Sequence, residues 1–503
     1  MRVNLACYCL NIIVSFFTRK VFLDKLGTDF VGLTSTLQSL LGFLNIAELG
    51  VATSIAYFLY KPIYEGDKEK INEIISVFGY LYRIIGCVIL SGGVIMSMFL
   101  PKIFEGTEFT SLTLYIGFYT YLFVAMLGYF VNYKQTLLTA DQRNYIVTGL
   151  NQAIIAGKGI AQMILVYKYQ DYFLFFLLEA VFGISYSIVL NHQVNKTYPW
   201  LESEIKSGRR LLSKYSEIKK KIGQVCVHKI GGFVQYQLMP MLIYGFVSLQ
   251  VVALYTNYIT LTNAFRSMLS SVLNSTTAGV GSLVAEGDKN RIFSIYKGIF
   301  VMNMLVSVLF SAFVYDVISD FVVLWLGEDF VLDRIIVLLI CVQLFLGTSR
   351  LCTEQFLGAY GLFSDVWAPL VVATLFVLCS ILFGSLWGLK GILLGPIVST
   401  VLVVHLWKPF FLFTRGFKLK VINYYQLAIK MLLTMVATVI LGSFITLRIM
   451  EMLSMPICWL RLIVHATISI SIYFILGTLT SVLIFGEFRD ILLGILGRFF
   501  NKI

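Results

Sequence analysis

Apolar residues in this chain run in long blocks broken by short polar ones, and the blocks have the length of membrane crossings. Residues 74–100, 110–133, 299–313 and 370–386 approach or exceed the ~20 apolar residues that carry a helix across a ~30 Å hydrocarbon layer. Marking every such block predicts fourteen spans: 3–18, 30–60, 74–100, 110–133, 145–167, 171–191, 225–247, 250–284, 295–319, 333–349, 366–386, 391–413, 426–449 and 459–485. The second and eighth are too long for a simple crossing and are expected to tilt or to extend beyond the bilayer. The fold class predicted is all-α, a polytopic integral membrane protein.

Composition agrees with that pattern. The 503 residues are 58% hydrophobic and 13% charged, against roughly 25% charged in soluble domains. The start, "MRVNLACYCLNIIVSFF", carries asparagines and runs into "TRKVF" without a small-residue cleavage site, so the first block is expected to be a retained span. The eight cysteines lie mostly in apolar runs with no CxxC pair and the four histidines are scattered. Disulfides and metal sites are not expected, and the cysteines read as small hydrophobes. With the N-terminus placed inside, the inner segments hold most of the 39 Lys and Arg, which predicts that both termini are cytoplasmic. The richest inner loop, "KSGRRLLSKYSEIKKKIG" from Lys206, reads as basic residues meeting anionic headgroups, not as a nucleic-acid site.

One phrase occurs twice. "YEGDKEKI" from Tyr64 returns as "AEGDKNRI" from Ala285. At the same offset of 221, Leu33, Leu40, Ser54, Ile71 and Ile74 align with Leu254, Leu261, Ser275, Ile292 and Ile295. A fainter echo pairs "LLTADQ" at Leu137 with "FLGAYG" at Phe356. Six spans separate the copies, so both halves cross in the same sense. That predicts a parallel repeat of two six-helix bundles, a plan common in alternating-access transporters; a charged Gly-Asp turn is also ordinary loop chemistry. The expected organisation is an N-terminal bundle at 1–195, a basic linker at 196–224, a second bundle at 225–413, and two additional helices with a tail at 414–503.

"KLGTDFVGL" at Lys25, "LNIAELGVATSIAYFLYKPI" at Leu44 and the following "EGDK" resemble the polysaccharide repeat-unit flippases of the multidrug/oligosaccharidyl-lipid/polysaccharide exporter superfamily. "LTADQRNYI" at Leu138 and "LWLGEDFVL" at Leu324 resemble later landmarks of that family. The resemblance implies two six-helix bundles plus two C-terminal helices. It also implies movement of a polyprenyl-pyrophosphate-linked oligosaccharide, such as an O-antigen unit of lipopolysaccharide, from the inner to the outer leaflet of a bacterial plasma membrane. Its partners would be membrane lipids, that lipid-linked oligosaccharide and a polysaccharide polymerase. Family members usually begin with a longer basic tail than Met1 and Arg2, so the true start is expected upstream or the tail lost.

A flipped glycan needs a polar path. Asn4, Tyr8, Asn11, Ser15 and Thr18 share one helical face, as do Thr256, Thr260, Asn263, Ser267, Ser270, Asn274 and Thr277. Gln224, His228 and Gln235 add a shorter stripe, and Gln38 and Asn45 lie in the second span. These stripes are expected to line a cleft between the halves; helix-to-helix hydrogen bonding is the alternative for any one of them. Ionisable residues inside spans are costly. Arg266, which aligns with Asn45, and Lys158, flanked by Gly157 and Gly159, are expected to attract the pyrophosphate, with Arg83 the weaker candidate because it can snorkel. The alternative is ion pairing with Glu48 or Glu179, the two residues also considered for coupling to a proton or sodium ion. No other cofactor is expected. Pro240, Gly395 and Pro396 are expected to bend their helices, and His405 and His465 to be packed rather than catalytic.

Two other functions compete. A drug or cation antiporter of the same superfamily would place acids in its cleft, whereas the buried charges here lean basic. A membrane polysaccharide polymerase or glycosyltransferase would need paired carboxylates or a large extramembrane segment. Asp320, Glu328, Asp329 and Asp333 read instead as solvated charges near the outer face.

Overall fold

The repeated phrase folds the same way twice, as a helix stop followed by a helix start. Glu65 ends one helix, Gly66 takes the left-handed conformation at φ 70°, and Asp67 caps the next helix by accepting from the Lys70 backbone N–H. In the second copy Gly287 has φ 79° and Asp288 accepts from the backbone N–H groups of Asn290 and Arg291. Glycine meets the left-handed turn without a Cβ clash, and aspartate supplies the acceptor that the first helical turn lacks.

The protein, seen here in a computed structural model, is described over residues 2–489 apart from positions 49, 142, 275–276, 363–364 and 487. Side chains are described from Val14 onward, except at 47, 53, 57 and scattered positions between 216 and 285. The chain divides into two units, Met1–Ala253 and Leu254–Ile503. Helix α8, expected to open the second bundle, therefore belongs to the first unit.

In unit 1, α1 (Arg2–Leu44) is bent at Gly27, which separates the first two expected spans. The second of these is itself broken: a 3-10 turn at Asn45–Glu48 interrupts it before α2 (Val51–Glu65). There follow α3 (Lys68–Ser97), α4 (Ser111–Phe130), α5 (Asn144–Tyr169), α6 (Tyr172–Thr197), the short α7 (Gly208–Lys214) and α8 (Ser216–Phe246). The boundary falls within α9 (Leu249–Asn274). Unit 2 continues through α10 (Thr277–Glu286), α11 (Lys289–Leu326), α12 (Arg334–Ala359), α13 (Trp367–Trp387), α14 (Leu389–Phe417), α15 (Ile422–Leu453) and α16 (Trp459–Ile484).

Among the described residues, nine helices are long and apolar enough to cross a membrane: α3, α4, α6 and α11 to α16. The other long helices, the two arms of α1 together with α5, α8 and α9, are those with polar stripes or charges in the sequence. The chain is an all-α, multi-pass membrane protein.

Each unit has an aromatic core. In unit 1, buried Phe30 stacks on Tyr172 at 4.5 Å between ring centroids and meets Phe175 edge-on at 5.2 Å. In unit 2, buried Tyr296 lies edge-on to Phe356 at 5.1 Å and Phe417 at 5.0 Å. Lipid tails are as apolar as these rings, so close packing rather than escape from water holds such helices together. Helices α13 and α14 approach closely at two glycines, Gly391 and Gly395. A Cβ on Gly395 would lie 1.9 Å from the Ser380 hydroxyl, which donates to the Ile392 carbonyl at 3.0 Å. Beyond Pro396, α14 widens into π-helical turns at Thr400–Trp407 and again at Leu412–Phe417.

Candidate functional site

A cluster of partly buried charged side chains in unit 2 joins α12 to the widened part of α14. Glu354 Oε1 lies 3.1 Å from Lys408 Nζ and 3.6 Å from Arg350 Nη1, one turn back on the same helix. Arg266, an exposed residue of α9, lays its guanidinium against Gly347, where a Cβ would stand 3.6 Å from its central carbon. Gly347 is one turn before Arg350. Three cations thus surround one carboxylate. The Arg350 Nε is buried without a hydrogen-bond partner, and His405 is packed with Nε2 3.2 Å from the Leu346 carbonyl. The π-helical turns matter here because they set the angle at which Lys408 leaves α14, and such irregular turns recur at functional sites.

The sequence pointed to Arg266 but not to Arg350, Glu354 and Lys408. Ending the tenth span at 349 put Arg350 and Glu354 in a loop, whereas the helix runs on to Ala359. The signal was available: Arg350 and Glu354 are spaced i, i+4, and apolar residues continue through "LCTEQFLGAY".

Unit 1 holds two acid clusters. Glu48, on the 3-10 turn, accepts from the Tyr82 hydroxyl and from Tyr129 at 2.7 Å, and Tyr129 also lies 3.0 Å from Asn45 Oδ1. The single Tyr129 proton cannot serve both acceptors fully. Turning the Asn45 amide so that its NH₂ donates to Tyr129 satisfies all three groups. The broken helix is what brings Asn45 and Glu48 to these tyrosines. The second cluster is an ion pair: Lys158 Nζ meets Glu179 Oε1 at 2.6 Å, and Gln162 donates to Glu179 Oε2 at 3.3 Å and to the Phe175 carbonyl at 3.1 Å. Of the two readings of Lys158, the structure favours the ion pair.

The remaining sequence candidates are dispersed. Gln38 hydrogen-bonds Tyr121. Arg83 stands apart from both acid clusters, exposed on α3. Gln235 and Asn263 are partly buried on α8 and α9, while the side chains of Asn11, Asn274, Gln224 and His228 lie outside the described residues. Arg19, expected in an outside loop, is inside α1 and donates to the Ala253 carbonyl at 3.2 Å.

A fourth cluster was misread from sequence. Asp320, expected as a solvated loop charge, is inside α11 with Oδ2 3.6 Å from His465 Nδ1 of α16. One turn earlier, Asp316 Oδ2 accepts from Ser469 at 3.0 Å and Tyr473 at 2.8 Å, and the Tyr473 hydroxyl lies 2.6 Å from Ser443 of α15. Asp333 likewise has a base, Lys390 at 2.6 Å. The two C-terminal helices are therefore fastened to α11 by buried polar contacts, which membrane helices use as glue.

No protein-family sequence model and no curated protein sequence matches this chain. Solved structures do. "Lipid II flippase MurJ, inward closed conformation" superposes with a TM-score of 0.61 at 12% identity, covering 98% of this chain and 100% of that one. "Inward-facing conformation of a multidrug resistance MATE family transporter of the MOP superfamily" gives 0.59 at 13% identity, covering 81% and 97%. At such identities the likeness is one of fold, and the chain has the fold of these membrane transporters.

Proposed function

We propose that this protein flips a polyprenyl-pyrophosphate-linked oligosaccharide from the cytoplasmic to the outer leaflet of a bacterial plasma membrane by alternating access, with both termini in the cytoplasm. The observation that carries the reading is the charge of the Glu354 cluster. Arg266, Arg350 and Lys408 share one carboxylate, which leaves an excess of two positive charges inside a membrane protein. Uncompensated cations there are costly unless a ligand or water meets them, and arginine forks suit phosphate oxygens. Arg350, with an unused buried Nε, and Arg266, exposed, bind the pyrophosphate; Lys408 holds Glu354 so that it does not repel the anion. The superfamily resemblance in residues 25–75 supports the same cargo. So does a fold shared with a protein titled as a lipid II flippase.

The second reading, a cation or drug antiporter, has its own observation. Glu48 and Asp316 have hydroxyl donors as their hydrogen-bond partners among the described contacts, and such acids could take a cation or a coupling proton. The other structure sharing the fold is titled as a multidrug transporter. Proteoliposomes separate the two. Flipping of a fluorescent polyprenyl-pyrophosphate sugar, read by its exposure to an impermeant oxidant, is expected to fall about tenfold or more in Arg266→Gln and Arg350→Gln, the cost of a lost charge-assisted hydrogen bond. Glu48→Gln is expected to change the pH dependence of transport and not the cargo. Unchanged flipping in both arginine variants, with efflux of an organic cation abolished by Glu48→Gln, establishes the antiporter instead.

A further inference from the structure

Unit 1 carries a groove that the transport reading does not use. Its wall is the outer face of α3, with Ile84, Val88 and Ile95 exposed along it, and its volume is about 800 Å³, within the range of small-ligand sites. At one end stand three cations from two parts of the chain, Arg83 on α3 with Lys206 just before α7 and Arg209 in its first turn. All three are exposed, and no ion pair engages them among the described residues. Of the acids nearby, Glu73, about three turns earlier on α3, is held by Lys214 at 2.7 Å and Tyr215 at 2.6 Å, while Glu202 and Glu204, just before Lys206, are exposed and form no ion pair with these cations among the described residues.

Position along α3 says what fits there. From Ile84 to its end at Ser97, α3 carries no charge; these fourteen residues at 1.5 Å each make about 21 Å of helix, within the ~30 Å hydrocarbon thickness. Arg83, grouped with Lys206 and Arg209 of the basic segment, stands where hydrocarbon gives way to headgroups. Gly208 presses the start of α7 onto α3 at the same level, since a Cβ there would lie 2.5 Å from Tyr80 Cβ. That contact is what holds Arg209 beside Arg83. An apolar trough ending in three unpaired cations at headgroup level is complementary to one kind of molecule.

We propose that this groove is a binding site for an anionic bilayer phospholipid, its acyl chain lying along Ile84, Val88 and Ile95 and its phosphate held by Arg83, Lys206 and Arg209. The lipid is a resident of the inner leaflet, separate from the cargo. It gives the basic residues at the start of α7 one defined seat for a phosphate in place of a diffuse field of charge.

The test uses the full chain in a neutral detergent with phosphatidylglycerol as the probe, and reads binding by native mass spectrometry. Each basic residue at a lipid surface is worth about fivefold in affinity. The triple variant Arg83→Gln/Lys206→Gln/Arg209→Gln is therefore expected to bind roughly 100-fold more weakly. Lys418→Gln/Lys420→Gln, neutralised elsewhere, is expected to match the native chain. A second measurement needs no variant: Cys87 lines the groove and is exposed, so phosphatidylglycerol should slow its alkylation at least tenfold while leaving Cys379 on α13 unaffected. Equal protection by phosphatidylcholine would overturn the proposal, as would undiminished binding by the triple variant. Protection by inorganic phosphate alone would make this a free-anion site. Protection by farnesyl phosphate at lower concentration than phosphatidylglycerol would assign the groove to the cargo. Either result also refutes the proposal, and neither bears on the Glu354 cluster.

Discussion

Replacing Lys158 with methionine separates an ion pair from a cargo site. Lys158 and Glu179 meet at 2.6 Å with side chains 23% and 11% exposed, so the substitution strands a carboxylate that is largely out of solvent. Removing one partner of a fully buried pair costs ~3–5 kcal/mol. Two features reduce that here: residual exposure, and the Gln162 amide, which still donates to Glu179 at 3.3 Å. Partners available in the membrane-embedded unfolded state reduce it further. The expected loss is about 2 kcal/mol for Lys158→Met, read by reversible SDS titration of the purified chain followed through tryptophan fluorescence. The double variant Lys158→Met/Glu179→Leu removes both charges and should return to within about 0.5 kcal/mol of the native chain, since apolar replacement of a buried pair is near neutral. It should also transport normally. A single variant as stable as the native chain would refute the pairing argument. A stable double variant that no longer flips the lipid-linked sugar would return Lys158 to the cargo.

Gly395→Leu drives a side chain into the Ser380 hydroxyl 1.9 Å from where its Cβ must sit and should cost about 3 kcal/mol or more by overpacking; Gly281→Ala, with nothing within 4 Å, is the control in the same SDS titration. Tyr473→Phe deletes the donor to Asp316 and the contact to Ser443 and should cost about 1–3 kcal/mol. Tyr425→Phe, an exposed hydroxyl on the Leu406 carbonyl, should cost less than half of that. The Asp67 carboxyl is held below its ordinary pKa by the Lys70 backbone N–H and side chain. Its cap therefore stabilises above pH about 4 and is lost as pH falls through the native value, so the stability gap between native protein and Asp67→Ala should close on acidification.

The fold was legible where one physical rule acted alone. Hydrocarbon length sets the size of apolar blocks, so α4 and α13 to α16 fall close to their expected places. The repeated Glu-Gly-Asp-Lys turn was legible as a repeat because a left-handed residue followed by a helix cap admits few alternatives. What escaped were places where helix geometry departs from its ordinary period. The break at Asn45–Glu48 lies between two apolar stretches that read as one long span, and the extension of α12 past Ser349 crosses polar residues, so hydropathy misplaced both. The pairing of Lys158 with Glu179 was open in the sequence, because two charges on different helices meet only when packing aligns them. Asp316 and Asp320 were hidden by a related ambiguity: near the end of a span, hydropathy does not distinguish a solvated acid from one facing a histidine on another helix.

The wide turns of α14 have a mechanical consequence. A π-helical stretch stores a residue that an ordinary helix has no room for, and successive α-helical residues are set about 100° apart around the axis. Passing that surplus residue along the helix would swing everything beyond it by about that angle while breaking and remaking a few backbone hydrogen bonds. Lys408 stands immediately after the first wide stretch, so a shift of one residue in that register would swing its ammonium group off Glu354 and leave the carboxylate to the two arginines, Arg350 and Arg266. A local change in winding can thus reset the charge balance of unit 2 without sliding any helix along its length.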